Sequence, residues 1–405
     1  MSRRVASASL FILLVAAISA QAQTYTVLHV FTGHGDGGDP ETALTLDRAG
    51  NLYGTTHFGG AGYGTVFKLS QKGSGWILNT IYTFQNGADG AYPGSRLVFG
   101  PDGTLYGTAS TGGGSGPGLV YNLRPQPNAC TTALCPWQET VIYNFTGGSD
   151  GGYPGTGALT FDSAGNIYGA AASGGLSCHE GGCGVVYKLT HSGGSWTESV
   201  LYSFTGGDDG QTPNAGVTFN IAGNLYGTTL YGGANQQGTV YELTPSQSGW
   251  TETTLHAFGA SGDGYTAFGG VIFDTHGNMY GATYGGGTLA GTVYELKPSG
   301  GGWNYSIIDN LDSLAGPEDD LALDQVGNLY GTVGIDSEGL GNVFELSPSG
   351  GSWAFSSLHE FLDEDNGAEP IGGVVLDANR NIYGTASVGG GGNGNGQGVV
   401  FEITP

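Results

Sequence analysis

Short apolar runs alternate with glycine-rich polar breaks along the chain, and no stretch carries a convincing 3.6-residue period. The runs are of four kinds that return in one order. The first ends in Asp or Asn, as in Leu44-Thr45-Leu46-Asp47, Leu159-Thr160-Phe161-Asp162, Val217-Thr218-Phe219-Asn220 and Val271-Ile272-Phe273-Asp274. The second is a G-N-L-Y-G-T phrase whose tyrosine returns as Tyr53, Tyr106, Tyr168, Tyr226, Tyr280, Tyr330 and Tyr383, a mean period of about 55 residues. The third is a Gly-Thr-Val-Phe/Tyr phrase starting at Gly64, Gly118, Gly184, Gly238, Gly291, Gly341 and Gly398. The fourth opens at Trp76, Trp137, Trp196, Trp250, Trp303 or Trp353 and closes on an apolar-x-x-Phe phrase such as Ile81–Phe84 or Leu201–Phe204.

Runs this short, separated by Asp, Asn and Gly, predict β-strands joined by tight turns, with almost no helix. A turn such as Asp162-Ser163-Ala164-Gly165-Asn166 makes the first two strands a hairpin, because Asp can accept the turn's amide protons and Gly can adopt the left-handed conformation. Both parities within the strands are apolar or small, so each sheet expects cover on both faces. Four-stranded sheets stacked radially give that environment, which is the β-propeller. The ends complete the pattern. Tyr25-Thr26-Val27-Leu28-His29-Val30-Phe31 matches the end of a fourth strand, and the last repeat stops at its third strand, Val399-Val400-Phe401-Glu402-Ile403. Pairing the two closes a ring and removes its free edges. The expectation is an all-β, seven-bladed propeller over residues 23–405. Its blades span 42–84, 95–145, 156–204, 214–258, 268–311, 319–361, and 371–403 plus 24–31.

Composition refines this picture. Glycine accounts for 81 of 405 residues in interrupted clusters, which excludes a collagen register, and 11% aromatics exclude a disordered chain. Residues 1–22 read as a secretory signal peptide: Arg3 and Arg4, the apolar run Leu10 to Ile18, then the cleavage signal Ala20-Gln21-Ala22. An N-terminal anchor is the rival reading, for which the run is short. No other apolar segment approaches spanning length, so the mature chain is expected to be secreted or periplasmic and without a C-terminal anchor. A formal net charge of −24 repels nucleic acid and anionic membranes and suits a soluble exported monomer. Cys130 and Cys135, and Cys178 and Cys183, form two local pairs with four residues between, expected as loop disulfides; the spacing fits a zinc site poorly.

The phrases G-N-L-Y-G-T and G-T-V-F/Y-x-L resemble the GloVer tandem repeat of bacterial exported proteins, over nearly the whole mature chain. The strand plan is also similar to that of NHL-type and gluconolactonase-type propellers. The resemblance implies an exported repeat protein and transfers no catalytic residue.

Candidate chemistry lies in the blade-to-blade loops, which repeat Asp-Gly followed by an aromatic residue or Pro. Asp36, Asp89 with Tyr92, Asp150 with Tyr153, Asp209, and Asp263 with Tyr265, joined by Tyr231 and Tyr284 from neighbouring loops, could form a rim that binds a glycan, another polymer or a protein. Turn chemistry alone also explains a feature repeated in so many blades. No cofactor is expected. Calcium or another divalent cation would have to use the same loops, and no D-x-D-x-D-G run exists. His34, Asp36, Asp39, Glu41 and His57 could supply metal ligands to a hydrolase or lyase at the channel mouth, the alternative to a non-catalytic scaffold. Gly147-Gly148-Ser149-Asp150-Gly151 matches G-x-S-x-G but lacks the strand-to-helix elbow that this chemistry needs.

Overall fold

The computed structural model describes residues 23–405 apart from 113–115, 127–136, 177, 179–180, 289–290, 312–315, 336–338, 363 and 392–395. The expected signal peptide and the Cys130/Cys135 pair lie outside the described residues. Cys178 and Cys183 form a disulfide, with Cα atoms 5.9 Å apart.

Seven antiparallel sheets make seven blades, each built in the order first, second, third, fourth strand. Blade 4 is representative: Thr218–Phe219, Leu225–Thr229, Thr239–Ser246 and Gly249–Ala257. Blade 7 takes Val375–Leu376, Ile382–Ala386 and Val399–Thr404 from the end of the chain and Thr24–Val30 from its start. Their register runs from Thr24↔Thr404 to Val30↔Val399, which closes the ring as expected. A two-stranded ribbon, Gly264–Tyr265 with Gly285–Gly286, is added at blade 5. Among the described residues the only helical turn is the 3-10 segment Glu364–Asn366.

The core is divided into seven layers, each lying between two blades. Tyr53, Val66, Ile81 and Phe84 of blade 1 pack on Leu97, Leu105, Tyr121 and Leu123 of blade 2, and the same arrangement returns around the ring to Phe31, Tyr383 and Val400 against Leu44, Leu52 and Phe67. Leu225 and Tyr226 enter different layers, Leu225 toward blade 3 and Tyr226 toward blade 5. The glycine that follows them has a steric role. A Cβ built on Gly107 would stand 2.6 Å from Tyr121 Oη and 2.8 Å from its Cζ, so glycine leaves room for the ring of its cross-strand partner. Phe67, Phe344 and Phe401 fill the same place in blades 1, 6 and 7.

The turn between first and second strands uses Asp as expected. Asp162 accepts the N–H groups of Ala164 and Asn166 at 2.9 Å each, the Asn166 side-chain amide at 2.7 Å and the Tyr168 hydroxyl at 3.0 Å. These donors hold its carboxyl below the usual carboxylate range despite the opposing effect of burial. Asp274 and Asp324 repeat the arrangement.

At the axis every seam is crossed by a hydrogen bond. The Thr45 hydroxyl donates to Leu97 O, Thr108 to Gly155 O (3.4 Å), Thr228 to Gly269 O (2.9 Å), Thr332 to Gly372 O (3.0 Å) and Thr385 to Thr42 O (3.1 Å). Gly157 N–H to Asn214 O (3.3 Å) and Gly270 N–H to Asp320 Oδ1 (2.6 Å) complete the circuit. In blades 2, 4, 6 and 7 the Thr that follows the repeat's Tyr-Gly is thus a tie to the next blade.

The cross-strand pair gives a paired prediction. Gly107→Ala lowers stability by about 1–3 kcal/mol through overpacking against a fully buried ring. Tyr121→Phe leaves stability within about 1 kcal/mol or raises it, because the Tyr121 hydroxyl is buried with no protein partner. Chemical denaturation of the two variants checks both; a large loss in Tyr121→Phe would show that its hydroxyl is satisfied.

Candidate ligand site at the ring axis

Each first strand borders the axis, so the residue just ahead of it stands at the rim of the central opening. At this one register the seven blades carry Glu41, Gly94, Thr156, Asn214, Phe268, Glu318 and Ile371. All seven line a single cavity of about 320 Å³, together with Thr42 and Asp319. Asp319 braces it: one carboxylate oxygen accepts the N–H of Ala43 at 3.1 Å and of Gly373 at 3.0 Å, tying blade 6 to blades 1 and 7. Asn214 donates its side-chain amide to Thr156 Oγ1 at 2.9 Å, and Phe268 meets Tyr284 edge-on with centroids 5.4 Å apart.

A second ring of side chains stands behind the first. Asp39, Tyr92, Tyr153, Thr212, Thr266 and Glu369 all have left-handed backbones, with φ from +51° to +60°. Five of the six precede proline, and none is glycine. Such a conformation costs a non-glycine residue about 1–2 kcal/mol and is least tolerable for a β-branched one. Backbone bonds impose it. Thr212 N–H donates to Cys183 O at 2.9 Å and its C=O accepts Leu230 N–H at 3.1 Å, which links blade 3 to blade 4; Thr266 does the same through Gln237 O and Tyr284 N–H.

Charge around this mouth is divided by sector. Blades 6, 7 and 1 supply Glu318, Glu369, Asp39 and Glu41. Burial, reinforced by Glu41 and Glu369, raises the carboxyl of Glu318, and burial with Glu41 pushes Asp39 up to about 6. His57 Nδ1 lies 3.2 Å from Glu41, which holds the imidazole above its ordinary value against burial. Deeper on the same side, burial and Asp319 push Asp320 up to about 6. The neighbouring sector is aromatic: His57 stacks on Tyr92 with centroids 5.0 Å apart, and Phe58 meets both rings.

The structure distributes the residues expected from sequence among three places. Tyr92, Tyr153 and Tyr284 stand beside the mouth, and Tyr153, like Tyr231 and Tyr265, is about half exposed. Glu41 lies 3.2 Å from His57 Nδ1, and Asp39 is near enough to act on the imidazole by its charge. His34 instead donates Nδ1–H to Thr32 O at 2.7 Å, and Asp36 accepts from the Thr32 amide and the His29 ring. The five proposed metal ligands therefore do not converge. Among the described residues no three His, Cys, Asp or Glu side chains lie close enough together to hold a metal ion.

The Asp-Gly carboxylates differ from the expected ligand-facing rim, because their oxygens already accept internal donors. Asp89 takes Tyr82 Oη and the N–H groups of Gln85 and Gly87; Asp150 takes Tyr143 Oη and the amide and hydroxyl of Thr146. Asp209 repeats this with Tyr202 and Thr205, and Asp263 with His256 and Tyr305. Behind three of them stand Glu139, Glu198 and Glu252 of the next blade. Burial, together with Asp89, Asp150 and Asp209 respectively, pushes each up to about 7.

Sequence reasoning passed over Thr156, Asn214, Phe268, Glu318, Ile371 and Glu369. Their signal was present. Aligning the seven copies on the apolar run places one residue of changing chemistry beside positions that hardly change.

A ring of seven four-stranded antiparallel blades, sealed by its own N-terminal strand, defines a seven-bladed β-propeller. The chain belongs to the Gloeobacter/Verrucomicrobia repeat family, whose model matches residues 14–139 and 133–333. Comparison with curated protein sequences gives no match. Among solved structures, the fold is similar to that of a candidate 6-phosphogluconolactonase from Bacteroides uniformis, at 14% identity over 91% of this chain and 90% of that one, with a TM-score of 0.50. It is similar also to the extracellular domain of a candidate hybrid two-component system from B. thetaiotaomicron, at 12% identity over 93% of this chain and 39% of that one, with a TM-score of 0.53. At these identities the likeness shows the fold alone.

Two predictions follow from the geometry. Thr212→Gly and Thr266→Gly leave stability unchanged or raise it by up to about 1 kcal/mol, whereas Thr→Ala at the same positions does not; urea denaturation compares them. The second concerns pH. A carboxyl raised to about 7 when folded binds its proton more tightly than in the unfolded chain, where its value is 4.5. Its stabilisation is complete below pH 4.5 and is lost as pH rises through about 7. Asp39 and Asp320 act in the same direction over part of that range. Replacing Glu139, Glu198 and Glu252 together with Gln therefore raises Tm at pH 8 more than at pH 5; an equal shift at both would contradict the assignment.

Proposed function

We propose that the protein is an exported, non-catalytic, monomeric scaffold that binds a glycan in its axial cavity. The observation that carries this reading is the divergence at one register. Glu41, Gly94, Thr156, Asn214, Phe268, Glu318 and Ile371 differ in chemistry while the strands behind them repeat. A structural role would favour seven similar residues. A role in gripping one asymmetric ligand favours a different group from each blade. The lining suits a sugar: Phe268 and Ile371 offer apolar surface to a ring face, and Thr156, Asn214 and the carboxylates offer hydrogen-bonding groups to its hydroxyls. The Cys178–Cys183 disulfide supports an oxidising compartment, outside the cell or in the periplasm. Among the described residues no helix is long and apolar enough to cross a membrane.

A second reading, a hydrolase or lyase at the same mouth, is favoured by one feature. Glu318 is raised by burial and by the charge of Glu41, and a raised carboxyl with a second carboxylate in the same cavity can serve as a general acid.

Calorimetric titration of the intact protein with the best binders from a glycan array tests the site. Phe268→Ala with Thr156→Ala is expected to weaken binding at least about tenfold, while Ile221→Ala, an exposed residue of a turn between first and second strands, leaves it unchanged. Undiminished binding in the double variant would remove the axial site. Cleavage of the bound glycan, abolished in Glu318→Gln, would establish the enzymatic reading instead.

A further inference from the structure

We infer that Glu41 and Glu318 make the axial cavity selective for a saccharide carrying a primary ammonium group, an amino sugar or its short oligomers. This rests on the glycan-binding reading above and deepens it.

Three of the nine residues lining the cavity are carboxylates, and none is basic. They are not equivalent. Asp319 is committed to the Ala43 and Gly373 amides, and Glu41 holds one imidazole. Glu318 has no hydrogen-bond donor or cation of its own among the described residues, although Glu41 and Glu369 crowd it with like charge. Blades 6, 7 and 1 are consecutive, so Glu318 and Glu41 flank Ile371 of blade 7 in the cavity wall. An ammonium placed between them would relieve the repulsion and supply donors to both, in a setting where charge-assisted bonds are stronger than neutral ones. The remaining wall fits the rest of a sugar: Phe268 supplies apolar surface, and the hydrogen-bonded pair of Thr156 and Asn214 supplies polar groups. The divergent lining thus has a cationic complement on one side and a neutral hydroxylated one on the other. A uronic acid would meet like charge on the Glu318 side, and N-acetylation would remove the group that the two carboxylates recognise. A metal ion is a poorer complement, because among the described residues no third His, Cys, Asp or Glu side chain joins the two carboxylates closely enough to hold one.

The test is calorimetry at about pH 6 with four probes: glucosamine tetramer, N-acetylglucosamine tetramer, galacturonate tetramer, and spermidine as an amine without a sugar ring. The glucosamine oligomer is expected to bind at least about tenfold more tightly than the acetylated one. Galacturonate is expected not to bind, and spermidine to bind more weakly than the glucosamine oligomer. The preference narrows as pH falls and the raised Glu318 takes up its proton. In Glu41→Gln/Glu318→Gln the amino and acetylated oligomers bind within about twofold of each other, and retained binding of the acetylated oligomer shows that the cavity has stayed intact. Equal binding of the two by the unmodified protein overturns this inference and leaves the glycan site standing, and so does a preference that survives the double substitution. Spermidine binding as tightly as glucosamine oligomer overturns it in favour of recognition of charge alone. Failure of every saccharide overturns both readings.

Discussion

The structure depends on one pairing, that of Thr24–Val30 with Val399–Thr404. A blade cannot bury both of its faces alone, and a row of blades has two uncovered ends. Closing the ring gives every blade two neighbours at once and completes the seventh inter-blade layer. The seam so made is as furnished as the others. Phe31 fills the layer between blades 7 and 1, Thr385 ties those two blades at the axis, and toward blade 6 Tyr25 stacks on His359 with centroids 3.7 Å apart. The rest of the molecule can therefore repeat a simple unit without any blade being specialised as an end.

That constraint explains why the fold was legible in the sequence. The apolar run, the G-N-L-Y-G-T phrase, the aromatic third strand and the Trp-led fourth strand each answer a contact that must be met seven times. Tyr226 and Leu225 serve different layers, Asp162 satisfies a turn, and Gly107 admits Tyr121, so an altered residue at any of them disturbs a seam. The seven copies behave as repeated measurements of one packing problem, and the missing fourth strand at the end showed where the first residues belong.

The candidate site was less legible because repetition misleads there. Asp-Gly recurs so regularly that it invites a ligand role, yet Asp89, Asp150 and Asp209 spend their oxygens on the Tyr and Thr or amide groups beside them. Recurrence in this chain marks what the scaffold needs. The informative residues, Glu318 and Phe268 among them, hold no motif, and only the geometry of the ring brings seven distant positions onto one axis. The acidic composition could be read from the sequence, but not its concentration around the mouth in the sector of blades 6, 7 and 1.

The left-handed residues around the mouth show how the two demands meet. Glycine would adopt φ near +55° without steric cost, and this chain uses glycine freely elsewhere, yet Asp39, Tyr92, Tyr153, Thr212, Thr266 and Glu369 keep side chains there. One of the two bonds that hold each of Thr212 and Thr266 in that conformation runs to the preceding blade, so the docking of neighbouring blades sustains the strain. A scaffold requirement accounts for the backbone shape but not for the choice of a carboxylate, a phenol or a hydroxyl at each position. The chemical variety is concentrated where the ring can hold it rigidly, in the two rings of side chains at the axial mouth, with Glu41 and Glu318 innermost.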